Sequence, residues 1–402
     1  MKYPASVFCQ LLELLPKTVF ARLVQETGAE RHAKGFSSWT HLVAMLFCQM
    51  AGSKSLREIT DGLANAGGKL NHLGVGTAPP RSTLAYANAH RPAALFRRLF
   101  YATLQCYRDD CNRRWRRQFR FKNPLLSLDA SVIELCLAMF PWASFRRTKG
   151  AVKLHLLLDH DGYFPVFAFL STGDCHELHV ARRLPLVKGS IVAVDRGYTD
   201  YALFGQWTAN GVYFVTRLKA GARYQVVADR ERPPAAEAAG LRADQDIQLV
   251  GASAQACPHR LRLVRWWDAR QQVELVFLTN LRHLAARTIA AIYQERWRIE
   301  LFFKTLKQHL KIKTFVGTTP NALASQIWTA LLAVLLLKVL HLLAECAWAF
   351  CRLMALLRLN LLSHRDLWAW LRNPLDASPG QIDLQIISCL RIPHVLLPLV
   401  YK

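Results

Sequence analysis

Two aspartates stand at positions where the surrounding sequence predicts buried β-strands. Asp129 lies inside the apolar run Leu-Ser-Leu-Asp-Ala-Ser, and Asp195 ends the run Ile-Val-Ala-Val-Asp-Arg-Gly. A carboxylate on a buried strand is costly unless a charged group pairs with it. A divalent cation is the obvious partner, because Mg²⁺ takes hard oxygen ligands from a few carboxylates. One such aspartate is as often structural, so a metal site needs a third acid nearby.

The third acid is Glu300, in a segment that predicts one long helix from about 285 to 311. At about 100° per residue, Tyr293, Arg296, Lys304 and Lys307 fall within roughly 40° of Glu300. An ordinary surface helix with i,i+4 ion pairs would not require Tyr293 or Arg296. The neighbouring edge of this helix carries an apolar stripe that would pack on the sheet, made of Ile292, Ile299, Phe303, Leu306 and Leu310.

The order Tyr293, Arg296, Glu300, Lys307 gives the spacing Y-(2)-R-(3)-E-(6)-K. This spacing resembles the signature of DDE transposases of the IS-four insertion-sequence family. Upstream, residues 195–198 resemble the second-aspartate motif of that family and residues 213–217 the strand that follows it. In total the resemblance runs from about 125 to 340.

The resemblance implies a ribonuclease-H-like α/β fold, with a mixed sheet, helices on both faces, a β-rich insertion and a helical N-terminal domain. It implies cut-and-paste transposition through a hairpinned DNA end, with double-stranded DNA as terminal inverted repeats and target, and a homodimer in the synaptic complex. The chain departs from the family at Leu275, where members with hairpin chemistry carry an aromatic residue. Trp266 and Trp267 lie nearby and could stack on a flipped base.

In that mechanism Asp129, Asp195 and Glu300 would be both the catalytic residues and the metal ligands. They would hold two Mg²⁺ ions about 4 Å apart, with Mn²⁺ able to substitute. One ion would activate water and later a DNA 3′-hydroxyl, and the other would stabilise the leaving oxygen. Cations would bind the phosphates because negative charge gathers there in the transition state. The side chains expected to contact DNA here are Tyr293, Arg296, Lys304, Lys307 and Arg217.

The elements that must position these residues follow from the apolar pattern. Hairpin-paired strands come first and then strands alternate with helices, which describes a mixed sheet covered by helices. The predicted strands are 125–135, 152–158, 163–170, 190–194 and 212–218, with a turn at 160–162 and helices near 176–186 and 198–207. The β-rich insertion, 219–280, predicts strands at 224–227, 247–250, 261–267 and 273–278 and a Pro/Ala-rich loop at 231–240.

Three regions are predicted: a helical DNA-end-binding domain over 1–122, a catalytic domain over 123–345, and a helical C-terminal region over 346–402 that is a candidate for dimerisation. Within the first, a helix from Ser55 and another over 83–91, capped by Ser82, resemble a helix-turn-helix pair. Their connector is longer than in the standard motif. A plain helical surface element explains the pattern as well.

The formal charge of +24 favours a polyanionic partner, although acidic membranes and ribosomal RNA attract basic proteins too. Between 97 and 122 arginines alternate with aromatic residues, which suits phosphate contacts better than a solvated face of mixed charge. Four of these arginines are expected to bind DNA: Arg113, Arg114, Arg116 and Arg117.

Other functional classes fit the sequence less well. The ten cysteines form no CxxC pair, which argues against a structural zinc site. Scattered cysteines are typical of proteins in the reducing cytoplasm. A DNA-binding protein there is expected to associate with the nucleoid. Gln10 and Glu13 interrupt the first apolar run, so it is a poor signal peptide. Lys338 and His341 interrupt the apolar run 327–343, which favours a buried helix over a membrane span.

Two rival functions share the predicted chemistry or the predicted partner. A host nuclease or resolvase could use the same core, and an inactive transposase could serve as a sequence-specific DNA-binding protein. Short inverted repeats bracketing the gene would separate the transposase from the first rival. The three acids argue against the second.

Overall fold

The computed structural model describes residues 5–31, 33–66, 70–114, 118–146, 149–310, 312, 314–344 and 349–372. Ten strands in these ranges form one mixed sheet: β1 (Leu125–Leu135), β2 (Ser144–Arg146), β3 (Lys149–Asp159), β4 (Phe164–Thr172), β5 (Ile191–Val194), β6 (Tyr213–Arg217), β7 (Tyr224–Asp229), β8 (Leu241–Leu249), β9 (Leu261–Asp268) and β10 (Val273–Thr279). Their order across the sheet is β2-β3-β1-β5-β6-β10-β9-β8-β7, and β4 pairs with β3. The central pairs β1–β5 and β5–β6 are parallel, as the predicted mixed sheet requires.

The hairpin between β3 and β4 turns at the predicted residues. Gly162 adopts a φ of 94°, in the region that favours glycine, and a Cβ there would lie 2.5 Å from the Phe164 ring. Tyr163 also has a positive φ, 56°, which is strained for a bulky residue. The hairpin therefore holds Tyr163 in a costly backbone conformation, in which its side chain contacts Glu295 and Arg298.

The strands of 219–280 extend the main sheet, because β10 pairs with β6 on one side and β9 on the other. The predicted loop 231–240 contains a short helix, α9 (Pro234–Ala238), and β8 begins six residues before the predicted strand at 247. The apolar pattern hid the start of β8 because Asp244 points into the sheet. Arg262 binds both carboxylate oxygens of Asp244, at 2.7 and 2.6 Å, in a buried pair.

The N-terminal region is helical where the structure describes it. The helix predicted from Ser55 is α4 (Leu56–Ala64), and Ser55 caps it, since its side chain accepts the Glu58 amide at 3.2 Å. The next helix, α5, begins at Arg81, so Ser82 lies inside it and the predicted cap is wrong. Pro80 is extended (ψ 145°) and the helix follows it directly. The helices are α1 (Val7–Leu12), α2 (Lys17–Thr27), α3 (Ser38–Phe47), α4 (Leu56–Ala64), α5 (Arg81–His90) and α6 (Ala94–Arg114), with a π-helical turn at Cys48–Gly52 and a 3-10 turn at Asn71–Leu73.

Helices cover both faces of the sheet, and alternating residues of β5 divide the two cores. Val192 and Val194 pack towards the helix α8 (Tyr201–Ala209), whereas Ile191 and Ala193 pack towards α11 (Ala286–Glu295). The remaining helices are α7 (Glu177–Ala181), α8 (Tyr201–Ala209), α10 (Ala252–Ala256), α11 (Ala286–Glu295), α12 (Trp297–His309), α13 (Pro320–Leu343), α14 (Phe350–Asn360) and α15 (Leu367–Arg372), with 3-10 turns at Pro141–Ala143 and Arg196–Tyr198.

The helix predicted over 285–311 is two helices, α11 and α12, which meet at Arg296. The Arg296 amide donates to the Tyr293 carbonyl at 3.2 Å, and the Ile299 amide donates to the Arg296 carbonyl at 3.1 Å. Both are three-residue bonds, the tighter spacing of a 3-10 turn. Periodicity alone misses such a junction because the apolar stripe continues across it.

A large apolar core joins the N-terminal helices, the outer strands and the C-terminal helices. Its centre is α13, whose Trp328 ring lies 5.7 Å from that of Phe100 on α6. By length and composition α13 alone among the described helices could cross a membrane, and 89% of its most apolar window is buried inside the protein. Burial of that extent is what the predicted core helix requires.

Candidate active site

Asp129 and Asp195 lie side by side on neighbouring parallel strands. Leu128 of β1 pairs with Val194 of β5, so the next residue on each strand is one of the two aspartates. β5 ends there and turns into the 3-10 segment Arg196–Tyr198. The sheet therefore brings together two carboxylates that are 66 residues apart in the sequence.

The Asp129 carboxylate is half-buried and electrostatically strained. Burial raises its pKa to about 6, while a hydrogen bond from the Ala130 amide (2.8 Å) and the charge of Arg296 oppose the rise. The negative charges of Glu300 and Glu177 raise the pKa further. A bound cation would remove this cost, because it favours the charged carboxylate.

Asp195 accepts two weak hydrogen bonds from groups beside it. The Gly197 amide lies 3.3 Å from Oδ2, and the Tyr293 hydroxyl lies 3.4 Å from Oδ1. Burial raises the pKa of Tyr293, and the charges of Arg296 and Arg217 lower it. Tyr293 is therefore a neutral donor that reaches from α11 to the second aspartate.

Glu300 and Arg296 form an ion pair at the start of α12. An Arg296 guanidinium nitrogen lies 2.8 Å from Glu300 Oε1, and this guanidinium also stands 5.5 Å above the Tyr293 ring. Arg296 is buried, whereas the Glu300 side chain is 32% exposed. Asp129, Asp195 and Glu300 therefore lie near Tyr293 and Arg296, two of the residues predicted to contact DNA.

The site offers a divalent metal ion the right kind of ligand atom, but not yet in the right arrangement. Among the described residues, no three His, Cys, Asp or Glu side chains are spaced as ligands of one ion, because Glu300 turns towards Arg296. The donor set is nevertheless all carboxylate oxygen, as Mg²⁺ prefers. At this site two buried polar atoms lack a partner among the described residues: the Tyr198 hydroxyl and Arg296 Nε. Burial raises the pKa of Tyr198, and the charges of Glu177, Asp129 and Asp195 raise it further. Carboxylates and orphaned donors of this kind fit a metal with its bound oxygen ligands.

The other predicted DNA contacts lie at different distances from the acids. Lys304 is exposed on α12, and Lys307 donates to the Val132 carbonyl of β1 at 3.0 Å. Arg217, half-buried at the end of β6, lies close enough to influence Tyr293. Arg116 and Arg117 lie outside the described residues, as do the side chains of Arg113 and Arg114.

Three residues with functional potential escaped the sequence reasoning. Tyr198 was visible only as part of a motif, and nothing in its spacing showed that its hydroxyl would be buried. The sequence around Glu295 predicts an acid on the exposed face of a helix, yet the residue is only 8% exposed. Trp297, next to Arg296, is 56% exposed and forms an apolar surface with Leu301. By contrast, Trp266 and Trp267 are half-buried on β9.

Carboxylates from two adjacent parallel strands and a helix, in a strongly basic α/β chain, are typical of enzymes that act on nucleic acid phosphodiesters. Comparison with known proteins narrows this class. Residues 120–336, more than half of the chain, match the family model described as "Transposase DDE domain". The chain belongs to the DDE transposase family. Residues 4–76 match a domain of unknown function (DUF4372).

Curated relatives agree with the family. The protein named as a transposase of insertion sequence element IS5377, from Geobacillus stearothermophilus, is 30% identical over 58% of this chain and 60% of its own length. The protein named as transposase y4zB, from Sinorhizobium fredii, is 31% identical over 74% of this chain and 82% of its own length. The piggyBac transposase in a synaptic complex with hairpin DNA matches 98% of this chain and 87% of that chain, with 10% identity and a TM-score of 0.43. The chain thus spans about three fifths of the first relative and most of the second.

Proposed function

We propose that this insertion-sequence transposase excises and reinserts its element by cut-and-paste, using Asp129, Asp195 and Glu300 as its catalytic carboxylates. The observation that carries the proposal is the adjacency of Asp129 and Asp195 on β1 and β5, with Glu300 facing them from α12 through Arg296. Acids with no catalytic role are usually found on the surface. Here Asp129 lies on a central strand with a raised pKa, and Arg296, which pairs with Glu300, also acts on Asp129.

The three carboxylates would hold Mg²⁺ ions, which supply activation of the attacking oxygen and stabilisation of the leaving oxygen. Asp129 is the ligand most in need of a cation, because burial has raised its pKa. Glu300 must leave Arg296 to join it. A DNA phosphate can drive that exchange, since it offers Arg296 another anion in place of Glu300.

The remaining polar groups would hold the strand during cleavage. Tyr293 can donate a hydrogen bond to a phosphate without adding charge, and Lys304 and Lys307 add charge further along α12. Trp297 is more exposed than Trp266 or Trp267 and is the better platform for an unstacked base. A distorted strand of this kind is what formation and opening of a hairpinned end require.

The N-terminal helices would recognise the terminal inverted repeats. On α5, Tyr86 is 67% exposed and its ring stacks on His90 at 4.1 Å, while Arg81 is exposed at the helix start. A cleft of about 470 Å³ separates this end of α5 from α4 and is lined by Arg57 and Arg81. An exposed aromatic and arginines on adjacent helices suit contact with DNA.

A cleavage assay on the element's own ends tests this function. The full chain is incubated with Mg²⁺ and labelled duplexes that carry the flanking inverted repeat or a scrambled repeat. Nicked, hairpin and fully cut products from the inverted repeat alone are expected. Equal cleavage of both duplexes would favour a host nuclease, and binding without any cleavage would favour an inactive DNA-binding descendant.

A further inference from the structure

The junction between α11 and α12 decides where two residues of the candidate active site point. Arg296 occupies the junction itself, and Glu300 follows one turn later. A 3-10 turn advances the chain by fewer residues per turn than an α-helix, so its position sets the orientation of everything after it. Whatever fixes the junction therefore fixes Arg296 and Glu300.

Glu295, the last residue of α11, is anchored by donors from three parts of the chain. The Gln118 side-chain amide donates to Oε1 at 3.0 Å, and the Tyr163 hydroxyl donates to Oε2 at 3.0 Å. Arg298, on the first turn of α12, donates from Nε to Oε2 at 3.2 Å. One carboxylate thus ties the segment before β1, the β3–β4 hairpin and the start of α12.

The same cluster reaches the strand that carries Asp129. His160 Nδ1 lies 3.9 Å from Glu295 Oε2, and its Nε2 lies 2.7 Å from the Ser127 hydroxyl. Ser127 precedes Asp129 by two residues on β1 and points to the same face of the sheet. His160 therefore links Glu295, at the end of α11, to Ser127 on β1, the strand that carries Asp129.

Several features show that this cluster is strongly held. Burial would raise the pKa of Glu295, but the surrounding groups, His160 and Gln118 foremost, lower it to about 2. Tyr163 keeps its strained positive φ where its hydroxyl meets Glu295 and the Arg298 guanidinium stands 5.4 Å above its ring. Strain of this kind persists only when the surroundings over-determine it.

A hydrolytic role for Ser127, His160 and Glu295 does not fit the site. Their order resembles a nucleophile, a base and an orienting acid. The Ser127 side chain, however, is completely buried, so no substrate can reach its hydroxyl. The cluster therefore has a structural role: it holds separate segments of the chain together inside the protein.

We propose that Glu295 is a positioning residue, whose buried carboxylate fixes the α11–α12 junction and so directs Arg296 and Glu300 at the two aspartates. The proposal rests on the DNA cleavage proposed above, because its kinetic consequence is measured on that reaction. Glu295 bonds to Gln118, Tyr163 and Arg298 rather than to the three acids, so it acts through the helix that follows it.

The test compares Glu295→Ala, Glu295→Gln and Gln118→Ala in the full chain with Asp246→Asn as a matched control. Asp246 is a buried carboxylate on β8 whose ion-pair partners, Arg230 and Arg282, belong neither to the junction nor to the β3–β4 hairpin. Thermal unfolding, the KM for end DNA and the kcat of nicking are measured well below the unfolding temperature. A misplaced catalytic group costs on the order of 10- to 100-fold in rate, so we expect that loss in kcat for Glu295→Ala with little change in KM.

Glu295→Gln keeps the size and an acceptor oxygen, so it should recover most of the rate, and Gln118→Ala should lose only a small part of it. Asp246→Asn should destabilise the fold without lowering kcat. Unchanged kcat in Glu295→Ala, or an equal fall in Asp246→Asn, would overturn the proposal. If Glu295→Ala does not fold, a Glu295→Gln rate equal to wild type with a Gln118→Ala rate equal to wild type would overturn it as well.

A crystal structure of Glu295→Ala separates this proposal from the proposed function. The junction is expected to shift and the Arg296–Glu300 pair to move away from Asp129. An unmoved junction contradicts the positioning role even if the wild-type chain cuts DNA. A shifted junction supports that role even if the wild-type chain does not cut the inverted repeat, in which case only the proposed function fails.

Discussion

Arg296 connects the two halves of the candidate active site at the scale of single residues. It pairs with Glu300, stands over Tyr293 and lowers the pKa of Asp129. Sequence spacing placed Arg296 on the same line as Glu300 but could not show that the two would bond to each other. Under the proposed function, Arg296 can exchange its ion pair with Glu300 for one with an arriving phosphate.

Replacing Arg296 or Lys307 by alanine should slow hairpin formation and opening more than the first nick. Loss of one charged phosphate contact costs on the order of 1–3 kcal/mol, which is about ten-fold or more in rate. The measurement is a gel time course that resolves nicked, hairpin and fully cut ends. Arg270→Ala, which removes an exposed arginine from the β9–β10 turn, is the control and should change no step. Nicking lost as completely as in Glu300→Ala would place these cations in the catalytic centre itself.

Replacing Tyr198 by phenylalanine should weaken metal binding while raising stability. The hydroxyl is buried and lacks a partner among the described residues, and the charges of Glu177, Asp129 and Asp195 act on it, so it is available to a metal-bound oxygen. A hydrogen bond contributes roughly 1 kcal/mol, so Mn²⁺ affinity measured by calorimetry should fall about five-fold. Thermal unfolding should move to higher temperature, because an unsatisfied hydroxyl is removed. Tyr201→Phe, three residues later, is the control, and equal affinity in both variants would remove Tyr198 from the site.

At the scale of elements, most strands and their order along the chain were predictable, whereas the short strand β2, the start of β8 and the helix boundaries at Arg81 and Arg296 were not. Alternating and continuous apolar runs identified β1 within its observed bounds, and the residue types at 160–162 identified the turn. The start of β8 was missed because the Asp244–Arg262 pair puts charge inside the sheet. The break at Arg296 was missed because tertiary anchoring of Glu295, which periodicity does not contain, sets it.

The α5 helix carries the element-scale prediction. If its exposed face contacts the terminal repeat, Arg81→Ala should weaken end binding and reduce the slope of log affinity against log salt by about 1, the loss of one phosphate neutralisation. Tyr86→Ala should weaken binding with the slope unchanged, because it removes an uncharged contact. Filter binding or fluorescence anisotropy from low to moderate salt measures both. Leu359→Ala removes another exposed apolar side chain, 81% exposed on α14, and serves as the control. Unaltered affinity in both α5 variants would move end recognition elsewhere.

At the scale of the whole molecule, α13 organises one core shared by the N-terminal and C-terminal helices. The prediction of a buried helix over 327–343 rested on Lys338, and the structure gives this lysine an unusual setting. Its ammonium lies 5.7, 5.7 and 5.6 Å from the ring centroids of Tyr163, Phe302 and Phe350. Cation–π attraction offsets part of the cost of desolvation. Burial lowers the pKa of Lys338 to about 8.

Lys338→Met should stabilise the protein at pH 7, on the order of 1 kcal/mol, because it removes a desolvated charge from the core. The folded pKa lies below the ordinary value of 10.5, so between about pH 8 and 10.5 the unfolded chain binds more protons than the folded one. Wild-type stability therefore gains relative to the variant as the pH rises through this window. Denaturant unfolding at pH 7 and at pH 9.5 measures both effects. A variant that is less stable at pH 7 would show that the aromatic contacts outweigh desolvation.

The measurement that tests the central claim most directly is Mg²⁺-dependent cleavage of labelled inverted-repeat DNA by Asp129→Ala, Asp195→Ala and Glu300→Ala. Each variant should lose strand cleavage while binding the DNA end nearly as well as wild type, because the acids serve the chemistry and the cations serve the phosphates. Glu134→Ala, an exposed acid five residues beyond Asp129 on β1, should cut normally. Cleavage at a near wild-type rate by any of the three variants would contradict the assignment of that residue as a catalytic metal ligand.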